Sequence, residues 1–423
     1  MAKVMRNEAL IEEALTRSVS AIHPSKDELK RTLLTTDKPL RIYLGVDPTG
    51  PNLHLGHLTN LLTLRRLQKL GHKIIFLIGD FTATIGDPTD KMAPRQALNP
   101  KQVVHNMRTF EEQISRIISF LGKNKAEIRF NSEWYKKKNW TLEKFITDLL
   151  GHFSVQNMIE REDFKNRLKE NRTIQLQEFI YPLLQGYDGV ELDANVEVGG
   201  NDQIFNMSIG RALRKAHSKR DDGKVSKGEK FFIATALLVN PITGKKLMNK
   251  SEGGLINLDD SPQDIFGKVM ALDDASMFPV AEFSTEMPPE RIRDLKKGVE
   301  QRRLNPKDVK AEIAEEVVKT IYNSTAAKKA RENFEKVFSK KEISILSDFP
   351  MLHINPIKDK MLYNVIVKSG VVVTKSRARI LIRQGSVHVV GKPPVKNPLA
   401  GAQFLQNGDV LKIGKRHFFR IKI

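Results

Sequence analysis

The stretch Arg41-Ile-Tyr-Leu-Gly-Val-Asp-Pro-Thr-Gly-Pro-Asn-Leu-His-Leu-Gly-His57 decides how the rest of the sequence is interpreted. Its first six residues predict a short buried strand, its middle is dense in turn residues, and its end opens a helix with apolar periodicity to about Leu70. A tight loop between a strand and a helix N-terminus forms an anion site, because backbone N–H groups and the helix dipole point towards the anion. His54 and His57 add donors there, and Gly56 leaves room for a ligand. The stretch therefore predicts a site for nucleotide phosphates, although its short motif has low specificity alone.

Strand and helix signals alternate after this stretch. Residues 73–79 form a continuous apolar run, which is typical of a parallel strand covered on both faces. Asn99 and Pro100 predict the start of a long helix that ends at Gly122, and further strands are predicted at 127–131, near 196 and at 231–239. This order predicts an α/β fold with a Rossmann-like, doubly wound parallel sheet. Its ligand should bind beyond the carboxyl ends of the strands.

The remaining sequence divides into segments of different character. Residues 1–38 predict an N-terminal helical extension of two short helices, residues 39–242 the α/β domain, and residues 243–260 a mobile lysine–serine loop. Residues 261–349 predict an all-helical middle domain, residues 350–356 a linker, and residues 357–423 a small α+β domain.

Composition narrows the possible partners and compartments. The chain has 423 residues, of which 40% are hydrophobic, and no apolar run approaches the roughly 20 residues that span a bilayer. It contains no cysteine, which fits a reducing cytoplasm. The net charge is +20, and residues 355–423 hold 14 Lys/Arg against 2 Asp/Glu, a local net charge of +12. Such an excess favours a nucleic-acid partner over a merely soluble surface.

Six motifs, in this order, resemble those of the tyrosyl-tRNA synthetase family of class I aminoacyl-tRNA synthetases. They are Tyr43-x-Gly-x-Asp47-Pro-Thr49, His54-Leu-Gly-His57, Gly86-Asp87-Pro-Thr89, His152-Phe-Ser-Val155, Tyr181-Pro-Leu-Leu-Gln185-Gly-Tyr-Asp188 and Gly199-Gly-Asn-Asp202-Gln203. The resemblance spans nearly the whole chain. It implies that residues 39–242 are the catalytic domain, residues 261–349 bind the anticodon, and residues 357–423 are a small RNA-binding domain of the bacterial type.

The chemistry that this resemblance implies needs positioned charge more than a protein nucleophile. A tyrosine carboxylate would attack the α-phosphorus of ATP, with Mg²⁺ held mainly by the phosphates, so no protein-bound metal is predicted. Donors are needed on both sides of the triphosphate, and the predicted catalytic residues are Thr49, His54, His57, Lys250 and Ser251. The predicted ATP-binding residues are Gly45, Asp47, Gly56, Gly200, Asp202 and Lys250.

The lysine loop departs from the family pattern Lys-Met-Ser-Lys-Ser. The aligned residues are Leu247-Met-Asn-Lys-Ser251, so a leucine replaces the first lysine. Either Lys245 or Lys246 could reach the same phosphate from upstream, and the sequence leaves both open.

For amino-acid selection, the resemblance puts Tyr43 and Asp188 on the substrate phenol. It puts Asp87, Tyr181, Gln185 and Gln203 around the ammonium group and ring. Tyr181, Gln185 and Asp188 share one helix face at i, i+4 and i+7, and an inward polar face is costly unless it meets a ligand.

The expected partners are tRNA(Tyr), L-tyrosine and ATP, with a homodimer carried over from the family and no membrane. In the basic tail, the predicted RNA-binding residues are Lys375, Arg377, Arg379 and Arg383, which lie on one helix and the turn after it.

Two alternative functions stay open at this point. One is a tryptophanyl-tRNA synthetase, which shares the scaffold; Tyr43, Asp188 and the basic tail disfavour it. The other is a catalytically inactive RNA-binding relative, which only the altered lysine loop favours.

Overall fold

The computed structural model describes residues 3–88, 98–137, 140–217, 230–248, 254–338, 349–355, 359–414 and 417–423. The chain divides into two compact units, Met1–Ala330 and Arg331–Ile423. The domain boundaries given above remain a prediction. Within the described residues, no helix is both long and apolar enough to cross a membrane.

The first unit is organised around a six-stranded sheet. Its strands are β1 (Val19–His23), β2 (Arg41–Val46), β3 (Lys73–Ile78), β4 (Glu127–Phe130), β5 (Val196–Gly200) and β6 (Phe231–Thr235). They lie in the order β1-β6-β5-β2-β3-β4; β2 to β6 are parallel, and β1 runs antiparallel to β6. This arrangement confirms the predicted Rossmann-like, doubly wound sheet. The strand order reverses between β2 and β5, which is where such sheets bind ligands.

Sixteen α-helices lie among the described residues before 339. They are α1 (Glu8–Thr16), α2 (Lys26–Thr35), α3 (Leu55–Lys69), α4 (Pro100–Met107), α5 (Phe110–Ser115), α6 (Ser132–Tyr135), α7 (Leu142–Asp148), α8 (Val155–Ile159), α9 (Glu162–Lys169), α10 (Leu176–Glu191), α11 (Ile204–Ala216), α12 (Pro262–Met270), α13 (Met277–Ser284), α14 (Pro289–Glu300), α15 (Pro306–Ile321) and α16 (Ser324–Phe338).

The long helix predicted between Pro100 and Gly122 is wrong in two respects, because it is broken into α4 and α5 and because α5 ends at Ser115, before Gly122. Asn99 caps α4 as predicted, but Thr109 has non-helical dihedral angles (φ −103°, ψ 1°). The Thr109 hydroxyl donates to the carbonyl of Pro51 at 3.1 Å, and Gln113 Nε2 donates to the same carbonyl at 3.0 Å. These bonds tie the break to the loop after β2.

The N-terminal segment contains both predicted helices and a strand that was not predicted. Asn7 and Ser25 cap α1 and α2, and β1 lies between them at the edge of the sheet. The side chain of Arg17 is buried after α1 and donates to the carbonyls of Thr285 and Met287, both at 2.7 Å. These bonds attach the N-terminal segment to the residues that directly follow α13.

The second unit has its own core. Strands β7 (Met351–His353), β8 (Val387–Val389), β9 (Val410–Ile413) and β10 (His417–Lys422) form a sheet in the order β7-β10-β9-β8, with helices α17 (Leu362–Lys368) and α18 (Lys375–Arg383). The expectation that residues 350–356 are only a linker is wrong, since β7 pairs parallel with β10 and buries Leu352. The rest agrees with the predicted small α+β fold.

A buried histidine between α3 and β3 predicts acid-sensitive stability. His72 Nδ1 accepts from the backbone N–H of Leu40 at 3.2 Å, and burial lowers the pKa of His72 from 6.5 to about 4. Below pH 6.5 the unfolded state therefore binds a proton on His72, whereas the folded state does so only near pH 4. We expect this group to remove about 3 kcal/mol from the free energy of unfolding as the pH falls from 6.5 to 4.

A His72→Asn variant keeps an acceptor for Leu40 but cannot titrate. Its denaturant midpoint should depend less on pH between 7 and 4 than that of the wild type, while both proteins fold. Identical pH dependence in the two proteins would contradict the role given to His72.

Candidate functional site

A cavity of about 480 Å³ opens at the carboxyl ends of β2 and β5. The predicted site residues among those that line it are Gly45, Asp47, Thr49, His54, Gly56, His57, Asp87, Tyr181, Gln185, Asp188, Gly200, Asp202 and Gln203. Residues separated by more than 150 positions in sequence thus meet in one pocket. Lys250 and Ser251 lie outside the described residues.

The histidine pair lies where α3 begins. His54 is the N-cap of α3 and its Nδ1 accepts from the backbone N–H of Gly56, while His57 Nδ1 accepts from the backbone N–H of His54; both distances are 3.2 Å. In a neutral imidazole whose Nδ1 accepts, Nε2 carries the hydrogen and is a donor. A Cβ on Gly56 would lie 3.0 Å from the His54 ring, so glycine lets that ring pack on the backbone. The two rings therefore present donors at the start of the helix.

Asp47, directly after β2, lines the cavity and contacts Tyr181 of α10. One carboxylate oxygen accepts from the hydroxyl of Tyr181 at 3.0 Å and the other from Thr82 at 2.7 Å. A Cβ on Gly79 would lie 2.0 Å from the Asp47 carboxylate, so only glycine leaves room for it. Burial and the Asp47 charge raise the pKa of Tyr181 well above its ordinary value. Tyr181 is therefore a neutral donor.

Asp188 forms a buried polar wall of the cavity. It is 4% exposed and accepts from Trp134 Nε1 at 3.0 Å and from Asn131 Nδ2 at 3.3 Å. Burial raises the pKa of the Asp188 carboxyl well above its ordinary value. Trp134 and Asn131 escaped the sequence analysis because they lie more than 50 residues away and belong to no motif.

Amide side chains connect the predicted Gln185 of α10 with the predicted Gln203, which directly precedes α11. Asn206 Nδ2 donates to Gln185 Oε1 at 2.8 Å and to Gln203 Oε1 at 2.9 Å. Gln203 Nε2 donates to Asp87 Oδ2 at 2.9 Å, and the buried guanidinium of Arg161 lies 3.5 Å from the other oxygen of Asp87. Asn206 and Arg161 were not predicted, since neither belongs to a recognised motif.

A second unpredicted pair is a buried ion pair on the sheet side of the cavity. Lys230 Nζ donates to Glu197 Oε2 at 2.7 Å, and the two side chains are 0% and 3% exposed. Glu197 lines the cavity. The predicted Tyr43 is not among the lining residues. Its hydroxyl is buried without a hydrogen-bond partner, and the Lys230 ammonium lies 5.4 Å from the centroid of its ring.

Of the two lysines left open by the sequence, Lys246 lines the cavity and Lys245 does not. Lys246 Nζ lies 2.8 Å from Asp202 Oδ2, and both side chains are partly exposed. Lys246 therefore lines the same cavity as the histidine pair.

The basic residues predicted to bind RNA lie on α18 of the second unit. Ala378 and Ile382 face the core, whereas Lys375, Arg377 and Arg383 are exposed. The Arg379 guanidinium packs 4.3 Å from the centroid of the Tyr363 ring. Three of the four predicted cations are thus exposed on one helix, while the fourth packs on an aromatic ring. No cluster of three or more potential metal ligands occurs among the residues that the structure describes.

Comparisons with known proteins agree with this arrangement. A family profile, tRNA synthetases class I (W and Y), matches residues 35–339. The chain is 37% identical to tyrosine–tRNA ligase 2 of Clostridium acetobutylicum, over 94% of each chain, and 36% identical to tyrosine–tRNA ligase of Thermotoga maritima, again over 94% of each.

Solved structures extend the likeness to the fold. A truncated mitochondrial tyrosyl-tRNA synthetase of Aspergillus nidulans is 22% identical with a TM-score of 0.65, covering 78% of this chain and 94% of that one. Tyrosyl-tRNA synthetase of Archaeoglobus fulgidus, complexed with L-tyrosine, is 19% identical with a TM-score of 0.57, covering 77% of this chain and 100% of that one.

Proposed function

The chain belongs to the class I tRNA synthetases of the tryptophan and tyrosine group, and we propose that it is a tyrosine–tRNA ligase. The observation that carries this proposal is one cavity, at the reversal of strand order, that joins the His54–His57 pair to the buried carboxylate of Asp188. Relatives named as tyrosine–tRNA ligases favour tyrosine over tryptophan as the substrate. Amino-acid-dependent exchange of pyrophosphate into ATP tests it.

The reaction has two steps. In the first, a carboxylate oxygen of tyrosine attacks the α-phosphorus of ATP, and the bond from that phosphorus to the bridging oxygen of pyrophosphate breaks. In the second, a hydroxyl of the 3′-terminal ribose of tRNA attacks the carbonyl carbon of tyrosyl-adenylate and AMP leaves. The nucleophile of the first step is already charged, so the protein contributes by positioning and by stabilising charge on phosphate. Mg²⁺ enters with ATP as part of the substrate.

We assign phosphate contacts to groups on both sides of the cavity. His54 and His57 would donate from Nε2, Thr49 from its hydroxyl, and Lys246 from its ammonium; the support for this assignment is that all four residues line one cavity. Lys250 and Ser251 keep their predicted roles.

The nucleotide would lie over the loops that follow β2 and β5. The predicted contacts there are Gly45, Asp47, Gly56, Gly200 and Asp202, all of which line the cavity. A Cβ on Gly200 would lie 2.6 Å from Asp202 Oδ1, so glycine allows Asp202 to fold back over the strand end. In this proposal Lys246 exchanges Asp202 for phosphate when ATP binds.

The amino acid would occupy the end of the cavity formed by α10. Asp188 would accept the phenol hydrogen, while Asp87, Tyr181, Gln185 and Gln203 would surround the ammonium group. Their support is the shared cavity and the hydrogen bonds that already orient them. Contact of Tyr43 with the phenol stays a prediction.

We propose that the exposed cations of α18 contact tRNA phosphates. In an Arg377→Ala/Arg383→Ala variant, tRNA affinity should fall, and the slope of log affinity against log salt should decrease by about two. Tyrosine-dependent pyrophosphate exchange should not change, because activation precedes contact with tRNA. Lys392→Ala is the control, since Lys392 lies in the same unit but pairs with Asp409. An unchanged salt slope in the double variant would contradict this assignment.

We also propose that the enzyme is a homodimer that works in the cytoplasm, where its three substrates meet. Helices α7, α8 and α10 expose Leu142, Val155 and Leu176 by 73%, 63% and 81%. Water contact with large aliphatic groups is unfavourable, so a second copy of the chain would cover them. Cell fractionation tests the location.

Sedimentation velocity should show a species of twice 48.0 kDa for the wild type. A Leu142→Asp/Leu176→Asp variant should sediment as a monomer. Leu399→Asp, at a leucine in the second unit that is 62% exposed, is the control and should stay dimeric. A dimer that survives the double substitution would place the interface elsewhere.

A further inference from the structure

The ammonium of Lys230 lies in a slot between α10 and α11 that glycines leave open. A Cβ on Gly189 of α10 would lie 2.3 Å from Lys230 Nζ, and a Cβ on Gly210 of α11 would lie 2.5 Å from it. A Cβ on Gly186 would lie 2.9 Å from the backbone nitrogen of Gly210, so the two helices touch through their backbones beside the slot. The slot therefore admits a lysine tip only because both helices lack side chains there.

A buried ammonium is costly unless a carboxylate compensates its charge. Glu197 provides that compensation, since its Oε2 is 2.7 Å from Lys230 Nζ. Removal of one partner leaves an uncompensated charge in a medium that solvates it poorly. The position of Glu197 at the cavity therefore depends on Lys230.

Glu197 is the first member of a chain of hydrogen bonds. Its Oε1 accepts from Gln185 Nε2 at 3.4 Å, and Gln185 Oε1 in turn accepts from Asn206 at 2.8 Å. The chain continues through Gln203 to Asp87, where Arg161 lies at the far end. The three amides thus lie between two carboxylates, each of which is paired with a buried cation. Hydrogen bonds on both sides fix the orientation of each amide.

The orientation of Gln185 decides what it offers to a ligand. With Nε2 directed to Glu197, its Oε1 faces Asn206, and an amide oxygen has a second lone pair that can accept from an ammonium group. If Glu197 lost the ammonium that anchors it, its carboxylate could swing away and the amide of Gln185 would be free to turn. An amide that turned its NH₂ group towards a cationic ligand would repel it.

We infer that Lys230 is a positioning residue for tyrosine recognition: it holds the Glu197 carboxylate directed at Gln185, which presents its oxygen to the substrate ammonium. This inference rests on the proposed function. It assigns a role to a lysine that touches neither substrate and that no motif contains.

The test is steady-state pyrophosphate exchange by a Lys230→Met variant, in which an apolar chain of similar length occupies the slot. We expect the KM for tyrosine to rise at least about tenfold while the KM for ATP stays within about twofold.

Two further variants separate positioning from a general loss of stability. Lys230→Met/Glu197→Gln removes both charges, so its KM for tyrosine should return most of the way to the wild-type value. Gly189→Ala keeps the lysine but displaces its tip, so it should raise the KM for tyrosine as Lys230→Met does. Lys310→Met is the control, because Lys310 is another largely buried lysine, which donates to the Leu272 carbonyl away from the cavity. It should lower the midpoint of unfolding without changing either KM.

The outcomes are distinct. A wild-type protein without tyrosine-dependent exchange would contradict the proposed function and the inference with it. An active wild type, together with a folded Lys230→Met variant whose KM for tyrosine is unchanged, would contradict the inference alone. Equal increases in both KM values, or a double variant no better than the single one, would also overturn it.

Discussion

An Asp188→Ala variant should lose about 10³-fold in kcat/KM for tyrosine activation, equivalent to about 4 kcal/mol of transition-state stabilisation. Asp188 is the buried carboxylate that we place on the phenol of the substrate, and it already accepts from Trp134 and Asn131. Without it, the phenol hydrogen and these two donors would be buried without an acceptor.

The selectivity of this variant for tyrosine over phenylalanine should fall together with its rate of tyrosine activation. The wild-type pocket penalises phenylalanine because its polar groups would remain unpaired; discrimination of about 10⁵-fold is the known value for this enzyme family and not a number obtained from this structure. In Asp188→Ala, the ratio of kcat/KM values for tyrosine and phenylalanine should fall by orders of magnitude.

The pH dependence of tyrosine binding should also reflect Asp188. Burial raises the pKa of its carboxyl, so it takes up a proton at a higher pH than an exposed aspartate does. On acidification, the wild type should therefore begin to lose tyrosine affinity at a higher pH than a site with an exposed aspartate would.

The neighbouring Tyr187→Phe variant is the control. Tyr187 is buried on the same helix, but its hydroxyl bonds to Glu191 and it does not line the cavity. It should keep the wild-type discrimination. If Asp188→Ala also kept the wild-type discrimination between tyrosine and phenylalanine, the phenol would have to bind elsewhere.

A Lys246→Ala variant should lower kcat for tyrosyl-adenylate formation about 10²-fold, while the KM for tyrosine changes little. A cation beside the triphosphate stabilises negative charge that moves onto pyrophosphate as the bond to the α-phosphorus breaks. Of the loop lysines that the structure describes, Lys246 is the one that lines the cavity, and its Nζ lies 2.8 Å from Asp202 Oδ2. Because position 247 holds leucine where the family pattern has lysine, we expect this charge to matter more than it would beside a full family motif.

Lys245→Ala provides a matched control. It removes the same charge from the adjacent residue, which does not line the cavity. Single-turnover formation of adenylate should be near the wild-type rate in this variant. Equal losses in the two variants would point to the general charge of the loop, and a normal rate for Lys246→Ala would remove Lys246 from the mechanism.

The sequence predicted those parts of the fold whose signal is local. β2 and β3 are apolar runs because both of their faces are covered, and the predicted and observed bounds differ by at most one residue. The cap at Asn99 was equally local, because it depends only on residues of the first helical turn. The polar face of α10 was predicted because helical spacing alone places its three residues together.

Other features depend on tertiary contacts and could not be predicted. β1 and β7 have five and three residues, and each is defined by the strand it joins. The break at Thr109 results from hydrogen bonds to a loop that is 58 residues away. Lys230 follows a basic segment that looks like a solvated surface, and only the fold shows that two glycines admit its ammonium to the interior.

The central claim is that this chain activates tyrosine, and pyrophosphate exchange with the purified protein tests it most directly. With MgATP and labelled pyrophosphate, tyrosine should support label incorporation into ATP, whereas tryptophan and phenylalanine should give rates near the blank. No exchange with tyrosine from a folded protein that still binds tRNA, or faster exchange with tryptophan, would contradict the account.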